Sequence, residues 1–143
     1  MSITLSQTFD TPAAKHTVLV RRLGYALSTL FVLFLVMDAG MKLAALPVVI
    51  DAQAQLGWPA TAATARGLGL LLTVLTILYI VPRTSILGAI LLTGYLGGAV
   101  ATHVRVGTPL FTHILFGVYL GVFMWGGIYL RNDRLRALFP LVR

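Results

Sequence analysis

Asp38 and Lys42 stand four residues apart inside an otherwise apolar run, and Arg66 opens a second run. Thr102, His103 and Arg105 close a third, and His113 opens a fourth. A carboxylate and an ammonium at i, i+4 share one helix face and can pair directly, which matters because a lone charge in hydrocarbon costs several kcal/mol. Two readings of these residues stay open. In the first, Asp38, Arg66 and a histidine form a polar chamber that holds a ligand headgroup or relays protons. In the second, Asp38 and Lys42 only neutralise each other while Arg66 and Arg105 snorkel to the interface. His103 and His113 can in principle ligate haem or a metal ion from neighbouring helices, but no third ligand of obvious spacing accompanies them, so no metal site is assigned. Tyr95 precedes Thr102 by seven residues and so lies on nearly the same face, with its hydroxyl under the chamber. The absence of cysteine removes dithiol chemistry, thiolate metal sites and thioether-attached haem. No phosphate-binding loop, dinucleotide fingerprint, nucleophile elbow or zinc-protease helix is present.

The elements that must position these residues are helices in a membrane. Of 143 residues, 58% are hydrophobic and 10% charged, too little polar surface for a soluble domain. Apolar runs predict spans over about 23–46, 62–81, 84–103 and 113–130, between a polar tail, 1–22, and a basic tail, 132–143. A cleaved signal peptide shares the basic start and apolar run, but three further spans follow and no small-x-small site precedes Pro47. Between the first two spans, Asp51, Gln53 and Gln55 alternate with Val49, Ala52 and Leu56 before Gly57-Trp58-Pro59, which predicts a short interfacial helix with Trp58 at headgroup level. The fold class expected is therefore all-α, an integral membrane four-helix bundle with a short interfacial helix after the first span.

Basic residues give the orientation. Lys15, Arg21, Arg22, Arg83, Arg131, Arg134, Arg136 and Arg143 fall on one side, Lys42, Arg66 and Arg105 on the other, which predicts that both termini are cytoplasmic. A formal charge of +7 is then a matter of loop sorting and of contact with anionic lipid, not of nucleic-acid binding. Counted inward at 1.5 Å per residue, Asp38, Lys42, Arg66, His103 and His113 lie about 24–30 Å from the nearest cytoplasmic arginine. Four helices thus deliver their ionisable residues to one outer level. Gly94-xxx-Gly98 and Gly117-xxx-Gly121 mark faces where backbones can approach, within the bundle first and between copies in a homo-oligomer second. The fourth-span aromatics, including Phe116, Tyr119 and Trp125, read as lipid belt and core before stacking pocket.

The segments Met37-Asp38-Ala39-Gly40-Met41-Lys42-Leu43, Ala65-Arg66-Gly67-Leu68-Gly69 and Gly97-Gly98-Ala99-Val100-Ala101-Thr102-His103-Val104-Arg105 together resemble the DoxX-like family of small four-helix membrane proteins. The resemblance runs from the first span to about Pro140. It implies a bacterial inner-membrane protein and carries Asp38, Lys42, Arg66, His103 and Arg105 over as family positions, without an activity. Name-giving relatives belong to a thiosulfate:quinone oxidoreductase, and others accompany methylamine oxidation or oxidative-stress complexes.

Two function classes follow. One is a binding or accessory subunit whose outer chamber, built from Asp38, Lys42, Arg66, Tyr95, Thr102, His103, Arg105 and His113, receives a quinone-like or other lipophilic headgroup beside a redox-enzyme partner. There Arg66 or Lys42 would donate to a headgroup carbonyl, Asp38 would orient the cation, and His103 would exchange protons. The other is a non-catalytic assembly or scaffold protein in which the same residues form a structural ion-pair network. A proton-coupled transporter is disfavoured because the ionisable residues stop at one face.

Overall fold

The computed structural model describes residues 12–138, and among them every regular element is helical. Helix α1 covers Pro12–Leu43, α2 Pro47–Gln55, α3 Ala62–Ile80 and α4 Ser85–Val106; a π-helical turn, Leu110–Ile114, leads into α5, Leu115–Arg131, and α6, Asp133–Leu138, follows. Four stretches are long and apolar enough to cross a membrane: Val18–Leu43, Ala62–Ile80, Ser85–Val106 and Leu110–Arg131. The first helix begins at Pro12, well before residue 23, so Arg21 and Arg22 belong to α1. Residues 1–11 of the expected leading tail and 139–143 of the closing one lie outside the described residues.

The four long helices form a ring in which α1 packs on α3 and α5, and α4 packs on the same two. Lipid tails are as apolar as leucine, so such a bundle gains cohesion from close packing and internal hydrogen bonds. Phe31, Leu35, Leu72, Tyr79, Leu92, Met124 and Ile128 are fully buried between the helices, while Leu33, Leu70 and Val122 lie exposed on the outward faces. Tyr79 joins three helices: its ring meets Phe31 edge-on at 5.3 Å, and its hydroxyl lies 3.1 Å from both Ser28 Oγ and the Met124 carbonyl. The span threonines satisfy themselves, since Thr73, Thr76, Thr93 and Thr102 each donate to the carbonyl four residues back.

Close approach occurs at glycines other than most of those the spacing singles out. A Cβ on Gly88 would stand 2.4 Å from Tyr79 N, and one on Gly127 2.4 Å from Ser28 Oγ, so these residues let α4 meet α3 and α5 meet α1. Gly117 does the same against Val100, at 2.7 Å. Gly94, Gly98 and Gly121, by contrast, have nothing within 4 Å of a Cβ. Those three create space: the first two border a partly open cavity and the third an apolar groove on the outside of α4 and α5.

Both helices that end beside the polar cluster, and α2 between them, finish in the same left-handed cap. After α4, Gly107 at φ 74° lets its own N–H and that of Thr108 return to the carbonyls of Val104 and His103. Gly57 at φ 71° closes α2 in the same way, whereas α1 uses Ala45 at φ 50°. Alanine there carries a steric cost that glycine avoids.

Candidate functional site

At the end of the bundle where α1 and α4 terminate, a cavity of about 580 Å³ opens between α1, α4 and α5 and is covered by α2. Leu96 and Leu120, which are also core residues, form its inner wall. Phe34 and Phe116 line the side where α1 faces α5, their rings edge to face at 5.2 Å. Glycines 94 and 98 keep the α4 wall low. The volume falls within the range of small-molecule pockets, and the mix of apolar wall with a few polar groups is typical of them.

Six of the eight residues expected to share a chamber line this cavity: Asp38, Lys42, Tyr95, Thr102, His103 and His113. Lys42 Nζ donates to Asp38 Oδ1 across one helical turn, with both side chains mostly shielded. His103 and His113 come from α4 and from the π-helical turn, and their rings lie 5.7 Å apart. That turn widens the backbone after Pro109, whose carbonyl accepts from both His113 and Ile114, and it sets His113 and Phe116 along the cavity wall. Among the described residues no group of three His, Cys, Asp or Glu side chains gathers as a metal site would require.

The His103 ring is held by its neighbour across the cap of α4. Thr108 Oγ1 donates to the His103 carbonyl at 3.3 Å and lies 3.1 Å from His103 Nδ1. With its proton on the carbonyl the hydroxyl accepts from an Nδ1–H ring, and with its proton turned to Nδ1 it meets the other tautomer; in both cases the bond occupies Nδ1 and leaves Nε2 outside it. The cap at Gly107 is what brings Thr108 back over His103.

Arg66 and Arg105 do not enter the cavity. Arg66 Nε donates to the Leu43 carbonyl at 3.4 Å, at the end of α1, and Arg105 donates to the Leu56 carbonyl at 2.7 Å, at the end of α2. Arg105 also lies against Gly57, where a Cβ would be 3.1 Å from its guanidinium nitrogen. Both arginines therefore hold the chain around α2 in place, and the charge facing the cavity is the Asp38–Lys42 pair.

The residue that sequence reasoning passed over is Gln53. It is 5% exposed, lines the cavity from α2, and neither its Nε2 nor its Oε1 has a hydrogen-bond partner. The period was the missed signal. Asp51, Gln53 and Gln55 alternate, but on a helix two residues turn the chain by about 200°, so Gln53 points away from Asp51 and Gln55 and joins Val49 and Leu56. Val49, Ala52, Gln53 and Leu56 all line the cavity, and Asp51 and Gln55 are exposed.

The profile described as the DoxX-like family matches residues 26–127, most of the chain and all of the cavity-lining segments. The chain belongs to the DoxX-like family. No curated protein and no solved structure gives a match. With four helices of spanning length, this DoxX-like chain is a multi-pass membrane protein.

Proposed function

We propose that this DoxX-like protein binds the polar headgroup of a quinone-like or related lipophilic molecule in the cavity, as a binding or accessory subunit beside a redox partner that supplies the electron carrier. The observation that carries this reading is Gln53: a buried amide with neither end partnered, on a residue that lines a largely apolar cavity, costs stability unless a ligand meets it. Lys42, oriented by Asp38, donates to an oxygen of the headgroup, and His103 Nε2 takes or returns a proton. The apolar walls and the open flanks of Gly94 and Gly98 suit a ring and the start of a tail. The eight-to-three division of basic residues supports both termini on the cytoplasmic side and the cavity towards the outer face, and membership of the DoxX-like family suits a bacterial inner membrane.

A scaffold role draws support from one observation, that Arg66 and Arg105 spend their guanidinium groups on backbone carbonyls. The two roles separate in a fluorescence titration. Trp58 lines the cavity and Trp125 does not, so in nanodisc-embedded Trp125→Phe protein a decyl-tailed benzoquinone should quench Trp58 saturably. Gly98→Phe, which adds a ring beside open cavity space, should abolish the saturable part. Quenching that is linear and identical in both proteins would mean that the probe samples only lipid, and the binding reading would fail.

A further inference from the structure

We infer that the cavity opens sideways into the bilayer between α3 and α4, beneath α2, and that its ligand is a long-tailed lipid that enters from the membrane and leaves its tail in that window. This rests on the binding reading above and follows from where the helices touch around the cavity. Between α1 and α3 the chains meet at cavity level, since a Cβ on Gly69 would stand 2.9 Å from both Leu43 N and Lys42 Cβ. Between α4 and α5, one on Gly117 would stand 2.7 Å from Val100 Cγ2 and 3.3 Å from the Leu96 carbonyl oxygen. Between α1 and α5 the Phe34 and Phe116 rings meet across the seam at 5.2 Å. The outer end is covered by α2, which is flanked by the bonds of Arg66 and Arg105 to the carbonyls of Leu43 and Leu56. That leaves the α3–α4 seam, which closes at the opposite end of the bundle, where a Cβ on Gly88 would stand 2.4 Å from Tyr79 N.

At cavity level this seam presents Leu68 on α3 and Gly94 and Gly98 on α4, and all three line the cavity. Counted from the Gly88–Tyr79 contact along two antiparallel helices, Leu68 stands level with Gly98, and Leu71 with the turn between the two glycines. Both glycines are exposed, and a Cβ on either meets nothing within 4 Å. Two residues turn a helix by about 200°, so Gly98 faces away from Val100 and hence from α5. Leu87, Leu91, Gly94 and Gly98 follow one another at i, i+4, i+7 and i+11, a single stripe down α4 about 16 Å long. Leu71, Leu87 and Leu91 are exposed beside it. These edges are apolar, so a hydrocarbon chain passes them without desolvating a polar group, while the buried, unpartnered Gln53 marks the polar end of the same cavity. Lipid tails are as apolar as leucine, so the stripe adds little affinity; the window works by access, admitting molecules already dissolved in the bilayer.

The test is photolabelling of the protein in nanodiscs with a benzoquinone whose decyl tail ends in a diazirine, with and without excess plain decyl-tailed benzoquinone, the adducts being mapped by peptide mass spectrometry. Adducts that the excess removes belong to the site, and those that persist come from probe dissolved in lipid. The removable adducts should fall on α4 around Leu91 and on α3 around Leu71, and not around Val122 on α5 or Leu33 on α1, although both of these are more exposed. Gly94→Trp, which fills the window, should lose them, and the wild-type map maintains the test if that variant does not assemble. Removable adducts around Val122 or Leu33, or confined to α2, would overturn the window while leaving the binding reading intact. Removable adducts that persist in Gly94→Trp would overturn its placement at Gly94. Adducts that the excess nowhere removes would overturn the binding reading itself, and this inference with it.

Discussion

Asp38 and Lys42 lie side by side on one turn of α1 and neutralise each other at the cavity wall. Removing one partner strands the other, whereas replacing both removes the problem, so their substitutions will not add. Asp38→Asn should destabilise the protein in micelles by about 1–2 kcal/mol, less than for a deeply buried pair because the interface lets water reach the lysine. Adding Lys42→Met should restore most of that loss, as read from thermal unfolding of the two single variants and the double. Strictly additive losses would mean that the two side chains do not interact. A second residue-scale prediction concerns the cap after α1. Ala45 holds φ 50° in a position that glycine fills without strain at Gly57 and Gly107, so Ala45→Gly should raise stability by about 0.5–1 kcal/mol in the same assay. At this scale the sequence carried the i, i+4 pair plainly, since spacing alone puts Asp38 and Lys42 on one face. It could not assign Arg66 and Arg105, because their partners are backbone carbonyls of Leu43 and Leu56 whose positions depend on how two turns close.

Among the elements, α2 contributes most to the site for its length. Nine residues, Pro47–Gln55, cover the cavity, and the left-handed caps at Ala45 and Gly57 fix where the helix starts and stops. Arg105 bonds the end of α2 to the end of α4. Arg105→Ala should free the Leu56 carbonyl and speed amide hydrogen exchange across α2 by several-fold, leaving exchange in α3 and the middle of α5 unchanged; equal protection of α2 in both proteins would show that this bond does not hold the cover. The glycines divide by what surrounds them. Gly88→Ala drives a methyl group into the Tyr79 backbone and should cost about 1–3 kcal/mol, whereas Gly121→Ala meets nothing and should be neutral or stabilising by up to about 1 kcal/mol. Similar effects of both in thermal unfolding would contradict the packing. Small-xxx-small spacing drew attention to Gly94, Gly98, Gly117 and Gly121, of which only Gly117 meets a neighbouring helix, while the closest approaches fall at Gly88 and Gly127. Spacing along one helix does not reveal which face the neighbouring helix covers. The π-helical turn that sets His113 beside His103 likewise left no mark beyond Pro109.

For the whole molecule, four apolar runs separated by breakers were enough to give the spanning helices, because the bilayer demands length and apolarity from each one separately. The gathering of polar residues at one end follows from the same counting, and the structure places Asp38, Lys42, His103 and His113 around one cavity there. What one-dimensional reading could not supply is the cavity, which lies between α1, α4 and α5 where Gly94 and Gly98 leave space beneath the short cover of α2. In the proposed orientation, a cysteine at Ala60, in the exposed link before α3, should react in intact cells with a membrane-impermeant maleimide, and one at Arg134 on α6 should not; the native chain has no cysteine to confuse the signal. The reverse labelling would invert the orientation and place the cavity at the cytoplasmic face. The central claim is that the cavity holds a lipophilic headgroup in the native membrane. Its most direct measurement is native mass spectrometry of the protein released from nanodiscs formed directly from those membranes, wild type beside Gly98→Phe. The account predicts one small molecule retained in near-equal stoichiometry by the wild type and lost from the folded variant; a wild type that flies empty, or a variant that keeps the same molecule, would contradict it.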